Sequence, residues 1–411
     1  MKKRWLLCVM MVTLFGLCAG CGSEKKTPKE ENGLTPGVEE ITQGGEEQPP
    51  EQKAGYSEAP LLQAMVSSNL LPVLESRLPK EGNIVVAELG SVGNYGEDLQ
   101  FAAENAETMT GKLLSEGLFC YDGAGNVVPN IAKGYTVNVD YTQYTIQLRE
   151  GMRWSDGVPF TADDCLFFYE KMCLPEVFGE YLWQCFLVYD EEGMPLKASV
   201  QKIDDYHFMI TFPFSKPEFM TQLLAQGGIC FAPEHYYVNL LPEYMGEDAA
   251  KAKAKDMGYS DVTSMLNATV MKAWNIPGLP TLNSYCISEE EGKKDVTGEY
   301  YEFVRNPYYW KVDEAGQQLP YMDRLGFTRI SSETQKMMLT TEGFLSVSTL
   351  TPEQVAEAEA GKARGGYRII RWSNFSSFAV KNALRNFPET APYEEKVRGI
   401  GSAHVESWYM E

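Results

Sequence analysis

Hydrophobic and polar positions alternate with period two over Tyr144-Thr145-Ile146-Gln147-Leu148-Arg149, the pattern of a strand with one wet face. Glu150 and Gly151 close it, and Trp154-Ser155-Asp156-Gly157 reads as a turn. Thr161-Ala162-Asp163-Asp164 then predicts a helix start, with Thr161 as N-cap and acids in the first turn. Cys165, Phe168, Tyr169 and Met172 follow at i, i+3, i+4 and i+7, so that helix should bury one stripe. The same reading predicts a strand over Asn83 to Ala87 and a helix around Glu107 to Leu118. It also predicts extended pieces on either side of Asp122-Gly123-Ala124-Gly125-Asn126, and a hairpin over Val200 to Phe212 turning at Asp204-Asp205. Farther on, Asp248 to Lys255 predicts a polar helix, and Thr351-Pro352-Glu353-Gln354 a capping-box-like start to a helix ending near Gly361. Strands and helices are intermixed and the hairpins argue against a purely parallel sheet, so the class is α/β or mixed α+β with mixed sheets.

The N-terminal pattern is of another kind. Met1 to Arg4 is positive, and Trp5 to Leu17 is an almost unbroken apolar run ending in Leu17-Cys18-Ala19-Gly20-Cys21. That is the layout of an export signal, and the run is shorter than the roughly 20 apolar residues that cross a bilayer. The ending resembles a bacterial lipobox, although Cys18 stands where Leu is usual. It implies a signal peptide over 1–20, cleavage before Cys21 and acylation of the Cys21 thiol; the alternative is an uncleaved anchor, and both place the body outside the cytoplasm. Residues 21–57 are rich in Glu, Lys, Pro and Gly with few large apolar side chains. Nothing there offsets the entropy of ordering, so the stretch is expected to be a flexible tether.

Composition narrows the chemistry. The 411 residues are 44% hydrophobic, enough for two or more cores. With 57 acidic against 36 basic residues the net charge is −21, which disfavours nucleic acid and anionic surfaces as partners. Cys120, Cys165, Cys173, Cys185, Cys230 and Cys286 are widely spaced with no C-x-x-C pair, so no zinc site is expected. An exported chain could join some of them in disulfides, while Cys165 on an apolar helix face argues equally for buried thiols. The only histidines are His207, His235 and His404. No Gly-x-Ser-x-Gly elbow and no His-Glu-x-x-His motif occurs, and the acids Asp163 and Asp164 are explained by helix capping, so no catalytic residue and no cofactor is expected.

Several blocks carry a resemblance. Leu114-Ser115-Glu116-Gly117-Leu118, Val128-Pro129-Asn130-Ile131-Ala132, and Leu148 through Gly157 with Pro159 and Thr161 to Asp164 are similar to the signature of the family 5 extracellular solute-binding proteins of ABC importers. Asn306-Pro307-Tyr308-Tyr309-Trp310 and Leu319-Pro320-Tyr321-Met322-Asp323 resemble a second block of peptide-binding members. The resemblance runs over about Asn83 to Lys396. Its Gly-Glu-x-Asp segment is replaced here by Gly343-Phe344-Leu345-Ser346. The turn Trp154 to Gly157 looks catalytic in isolation, yet a strand–turn–helix junction needs a Gly, a capping acid and an aromatic plug for mechanical reasons alone.

The resemblance implies a type II periplasmic-binding-protein-like lobe with a hairpin-rich subdomain over 58–396. Residues 397–411 are expected to be a divergent or truncated start of a second lobe that is otherwise largely missing. It implies a lipid-anchored protein that gives a peptide or similar small solute to an ABC permease, with no enzymatic step. An exported surface receptor, or a fragment that no longer transports, is the alternative, and an exported hydrolase a weaker one. The family's cleft would be lined here by Gly90 and Ser91, after the first strand, and by Asn283, Ser284 and Tyr285, which stand where members often carry Asn-Gly-x-Tyr. Replacing the thiol in Cys21→Ala should release the protein into the medium or leave an uncleaved precursor, read by fractionation and intact mass. Normal processing with retention at the membrane would refute the anchor.

Overall fold

The computed structural model describes residues 41–42, 55–87, 89, 92–103, 114–122, 125–173, 184–271, 273, 276–288, 300–345, 351–371 and 377–380. The signal region with Cys21, Gly90, Ser91 and 397–411 lie outside them. In chain order come strand β1 (Ile41–Thr42), helix α1 (Pro60–Ser67) and strands β2 (Val85–Ala87) and β3 (Asp98–Ala103). The hairpin β4 (Phe119–Tyr121) and β5 (Val127–Pro129) leads into β6 (Ala132–Val137), β7 (Gln143–Leu148) and helix α2 (Ala162–Phe167). Two further hairpins follow, β8 (Leu187–Tyr189) with β9 (Pro195–Lys197) and β10 (Ser199–Asp204) with β11 (His207–Thr211). Then come helices α3 (Phe219–Ala225), α4 (Glu247–Asp256) and α5 (Val262–Met271). The chain returns as β12 (Tyr285–Ile287), β13 (Tyr300–Arg305), β14 (Lys311–Asp313) and β15 (Arg324–Arg329), then α6 (Glu333–Thr341), α7 (Pro352–Gly365) and the hairpin β16 (Arg368–Arg371) with β17 (Ser377–Val380).

Among these, one sheet is antiparallel in the order β1-β6-β7-β11-β10, and the other main sheet, β12-β13-β15-β3, is mixed. In the mixed sheet β15 pairs in parallel with β3, and beside it β14 pairs in parallel with β2. Strands from early in the chain are thus held by strands from far along it, and neither pairing can form until the intervening chain has folded back. The hairpins and mixed sheets agree with the class read from the sequence.

The period-two pattern of β7 is the seam of the core. Tyr144, Ile146 and Leu148 are buried, while Gln143 and Gln147 face out; Phe208 and Ile210 of β11 lie opposite Ile146 and Tyr144. The Tyr144 ring packs 4.9 Å from Phe219 and 6.1 Å from Phe212, and its hydroxyl donates to Lys216 O at 2.7 Å. This satisfies the polar end of a ring that is 1% exposed.

The junction that follows behaves as its chemistry requires. Thr161 caps α2 by accepting from Asp163 N at 3.3 Å, and Asp164 reaches back to accept from Thr161 N at 3.0 Å. Cys165, Phe168, Tyr169 and Met172 are all buried, the last three on a π-helical turn that continues α2 through Cys173.

Two expectations need correction. Of the helix expected around Glu107 to Leu118, residues 107–113 lie outside the described residues and Leu114 to Leu118 are not helical. Gly117 approaches the backbone of Gly228 and Phe119 so closely that an added Cβ would lie 2.8 Å from Gly227 O, and Leu118 N donates to Gly228 O, so this segment spends its backbone on a tertiary contact. The helix from Thr351 runs past Gly361 to Gly365 and stops at Gly366 in the left-handed conformation at φ 65°. Gly361 is no stop because its Cα packs against Tyr367 and Thr341, where a side chain would clash.

Among the described residues Cys165, Cys173, Cys185 and Cys230 are free thiols. Cys165, Cys173, Cys185 and Cys230 are buried, and burial pushes the Cys185 thiol up to about 12, so it stays protonated and unreactive. Beyond β15, Met337, Val355, Ala358 and Tyr367 form a small core of their own under α6 and α7. Truncating the cap in Thr161→Ala should cost about 0.5–2 kcal/mol in urea unfolding with an unchanged m-value. An unaltered midpoint would mean that the cap bond contributes nothing.

Candidate functional site

The resemblance blocks converge on one buried carboxylate. Glu116 is 1% exposed; its Oε1 accepts from the Tyr309 hydroxyl at 2.7 Å and its Oε2 from Asn130 Nδ2 at 2.8 Å. Lys311 Nζ lies 3.2 Å from Oε2 and 4.7 Å from the centre of the Trp310 ring. Asn130 also donates to Gly117 O at 2.9 Å, and its own carbonyl accepts from Arg149 Nε at 2.7 Å. Burial and the neighbouring Glu116 carboxylate hold the Tyr309 phenol well above its ordinary value, which keeps it a hydrogen donor. Four separate segments are clamped here by charge that no water reaches.

The turn of residues 281–285 sits against this clamp. Asn283 Oδ1 accepts from Glu116 N at 2.9 Å, and Asn283 N donates to Thr281 Oγ1 at 3.1 Å. Thr281 in turn is tied to Ser155 by two bonds of 3.0 Å, from Thr281 N to Ser155 Oγ and from Ser155 N to Thr281 O. Asn306 Nδ2 donates to Asn283 O at 2.8 Å, and Trp310 Nε1 to Leu282 O at 3.2 Å. Both resemblance blocks therefore hold the same turn from its two sides.

Beside the turn lies a cavity of about 70 Å³ whose wall includes Asn283, Tyr285, Thr281, Cys286, Phe303 and Leu114. Of the residues singled out in the sequence, Asn283 and Tyr285 meet at this cavity. Tyr285 is 1% exposed and its hydroxyl donates to Met322 O at 3.0 Å. Ser284 is fully buried behind the wall, and its hydroxyl meets no partner among the described residues. Gly90 and Ser91 fall outside the described residues.

The Trp154 turn is packed and hydrogen-bonded into the strand–turn–helix junction. Trp154 is 2% exposed, packs edge-on to Phe160 at 5.5 Å, and donates to Asp164 Oδ2 at 3.2 Å. Gly157 has φ 90° and lies against the Tyr308 ring, so two constraints require glycine there. Burial lifts the Asp164 carboxyl to about 6, against bonds from Thr161, Trp154 and Glu234 that favour its charged form. Asp156 is pushed up by burial, but the bonds from His235, at 2.8 Å, and from Val158 N outweigh this and hold it below the usual carboxylate range. His207 sits on β11 and pairs with Asp204 at 2.9 Å.

These clamped blocks span the part of the chain that matches a known family. Residues 126–268 match the Bacterial extracellular solute-binding proteins, family 5 Middle. Over this region the chain is similar to the family 5 extracellular solute-binding proteins. It is 30% identical over 272 residues to the periplasmic alpha-galactoside-binding protein of Rhizobium meliloti (strain 1021), covering 61% of this chain and 34% of that one. A solved oligopeptide-binding protein OppA superposes with a TM-score of 0.66 at 24% identity, over 78% of this chain and 50% of that chain. The periplasmic binding protein MelB of Agrobacterium fabrum C58, solved with stachyose, gives 0.52 at 23%, over 80% and 51%. The chain thus spans between a third and a half of these relatives' length. The fold is the type II periplasmic-binding-protein architecture, and the relatives are binding proteins rather than enzymes.

Sequence reasoning missed Glu116, Asn130 and Lys311 as a unit, although Glu116 and Asn130 stand inside quoted blocks and Lys311 directly follows one. The available signal was a charge or amide embedded in an apolar motif, which a buried site tolerates only with a partner. Lys311→Met leaves the Glu116 charge buried and should cost about 3–5 kcal/mol in urea unfolding. Adding Glu116→Gln should recover part of that loss, and a double variant as unstable as the sum of the two single changes would show that they are not coupled.

Proposed function

We propose that this chain is an extracytoplasmic solute-binding protein that takes a peptide or an oligosaccharide into the cleft wall around Asn283 and Tyr285 and gives it to an ABC importer, with the lipid at Cys21 keeping it at the membrane. The observation that supports this best is the turn of residues 281–285, held rigid by two family blocks and presenting a cavity. A wall whose polar groups are satisfied before ligand arrives spends little on ordering when it binds. Gly90 and Ser91, after β2, are proposed to extend the same wall, and Ser284 to support it from behind.

Two ligand chemistries compete because relatives differ: one is named for alpha-galactosides and another was solved with stachyose, while OppA is named for oligopeptides. The net charge of −21 suits neutral or cationic solutes in either class. An exported receptor that senses rather than transports would use the same wall, and association with a permease separates the two.

Thermal unfolding of the exported protein with alpha-galactosides and with two- to five-residue peptides decides the class. A ligand at a hundred times its Kd should stabilise by about 2.7 kcal/mol, a rise of several degrees. One class should raise Tm in the unaltered protein and fail to do so in Asn283→Ala. No rise with either class would remove both readings, and a rise that persists in Asn283→Ala would move the site elsewhere.

A further inference from the structure

A second, larger cavity has no part in the wall described above. It lies between β8, the segment Phe214 to Glu218 and α3, measures about 230 Å³ and shares no lining residue with the cavity at Asn283. At ~30 Å³ of liquid per water it has room for roughly seven waters, or for one small ring.

Its chemistry is specific. Lys216 is 4% exposed; its Nζ donates to Leu187 O at 2.6 Å and stands 3.5 Å from Glu218 Oε1. These two groups direct two of its three hydrogens, and the ammonium also stands 5.9 Å over the Phe212 ring. Gln222 Oε1 is buried without a partner, and such an acceptor costs about 1–3 kcal/mol until a donor reaches it. At the mouth, Tyr189 and Phe214 are 54% and 50% exposed, large apolar faces turned to solvent. Tyr189 is held in place by its hydroxyl, which donates to Gln184 Oε1 at 2.9 Å.

The Lys216 ammonium and the Glu218 carboxylate stand 3.5 Å apart and offset each other's charge, so neither a bare cation nor a bare anion gains net attraction here. The groups lining the cavity are the Lys216–Glu218 pair, the Gln222 amide and two aromatic side chains. A neutral ring bearing hydroxyls supplies donors and acceptors together and offers C–H faces to the aromatics. We propose that this cavity is a second binding site, for a single neutral hexopyranose unit, with Gln222 and Glu218 accepting from its hydroxyls, Lys216 donating, and Tyr189 and Phe214 as the platform.

Ligand-observed saturation-transfer NMR on the whole chain tests it with methyl α-D-galactoside and methyl β-D-glucoside, and with glycine methyl ester and lactate as the cationic and anionic controls. At least one hexoside should bind in the millimolar range, and both controls should show no transfer. Tyr189→Ala and Gln222→Leu should each weaken that binding at least ten-fold at unchanged Tm. If Gln222→Leu lowers Tm, Tyr189→Ala decides by itself, because that ring is half exposed. Absence of hexoside transfer, transfer undiminished in Tyr189→Ala, or a control that binds as well as the hexoside would each overturn the proposal.

Discussion

The structure depends on satisfying one carboxylate away from water. Glu116 is accommodated in the interior by Lys311, Tyr309 and Asn130 around it, and these residues belong to three separate segments of the chain. Taking a carboxylate out of water costs several kcal/mol, and the loss of any one partner leaves that cost uncovered. The clamp therefore forms completely or hardly at all. Lys311 opens β14, which pairs in parallel with β2, so closing the clamp also seats an early strand against a late one. The long chain between them makes this a slow, non-local step; the hairpins β6–β7 and β10–β11 can form beforehand from local contacts.

The same clamp fixes the candidate site. Asn283 spends its side-chain oxygen on Glu116 N and its carbonyl on Asn306, so the turn of residues 281–285 cannot move without loosening the Glu116 neighbourhood. Rigidity at the wall is the useful consequence. A binding protein that must order its own pocket loses that free energy from its affinity, whereas this wall is ordered by folding.

Much of this was legible in the sequence, and the failures share a cause. The alternation Tyr144, Ile146, Leu148 and the stripe Cys165, Phe168, Tyr169, Met172 report burial directly, because local period and burial coincide there. Thr161 and Thr351 announced their helices because a capping box is complete within four residues. Leu114 to Leu118 looked helical by period, yet its conformation is decided by Gly228 and Asn130, which no local pattern contains. Ser284 appeared beside Asn283 and Tyr285 as one motif, but the bend of residues 282–284 turns its side chain away from theirs. Asn283 and Tyr285 consequently reach the cavity and Ser284 faces the interior.

A signature consumed by architecture has a consequence for specificity. Trp154, Asp156, Asn130, Asn306 and Tyr309 direct polar atoms at neighbouring residues of the scaffold. Residues that must hold a scaffold cannot also vary to suit a solute. In the proposed cleft wall, ligand selection would fall to cavity positions outside the signature, such as Ala273, Ile276 and Leu279, which make no bond to the Glu116 clamp. Relatives named for galactosides and for oligopeptides can then share the scaffold and differ in what they hold, because fold and specificity are carried by different residues.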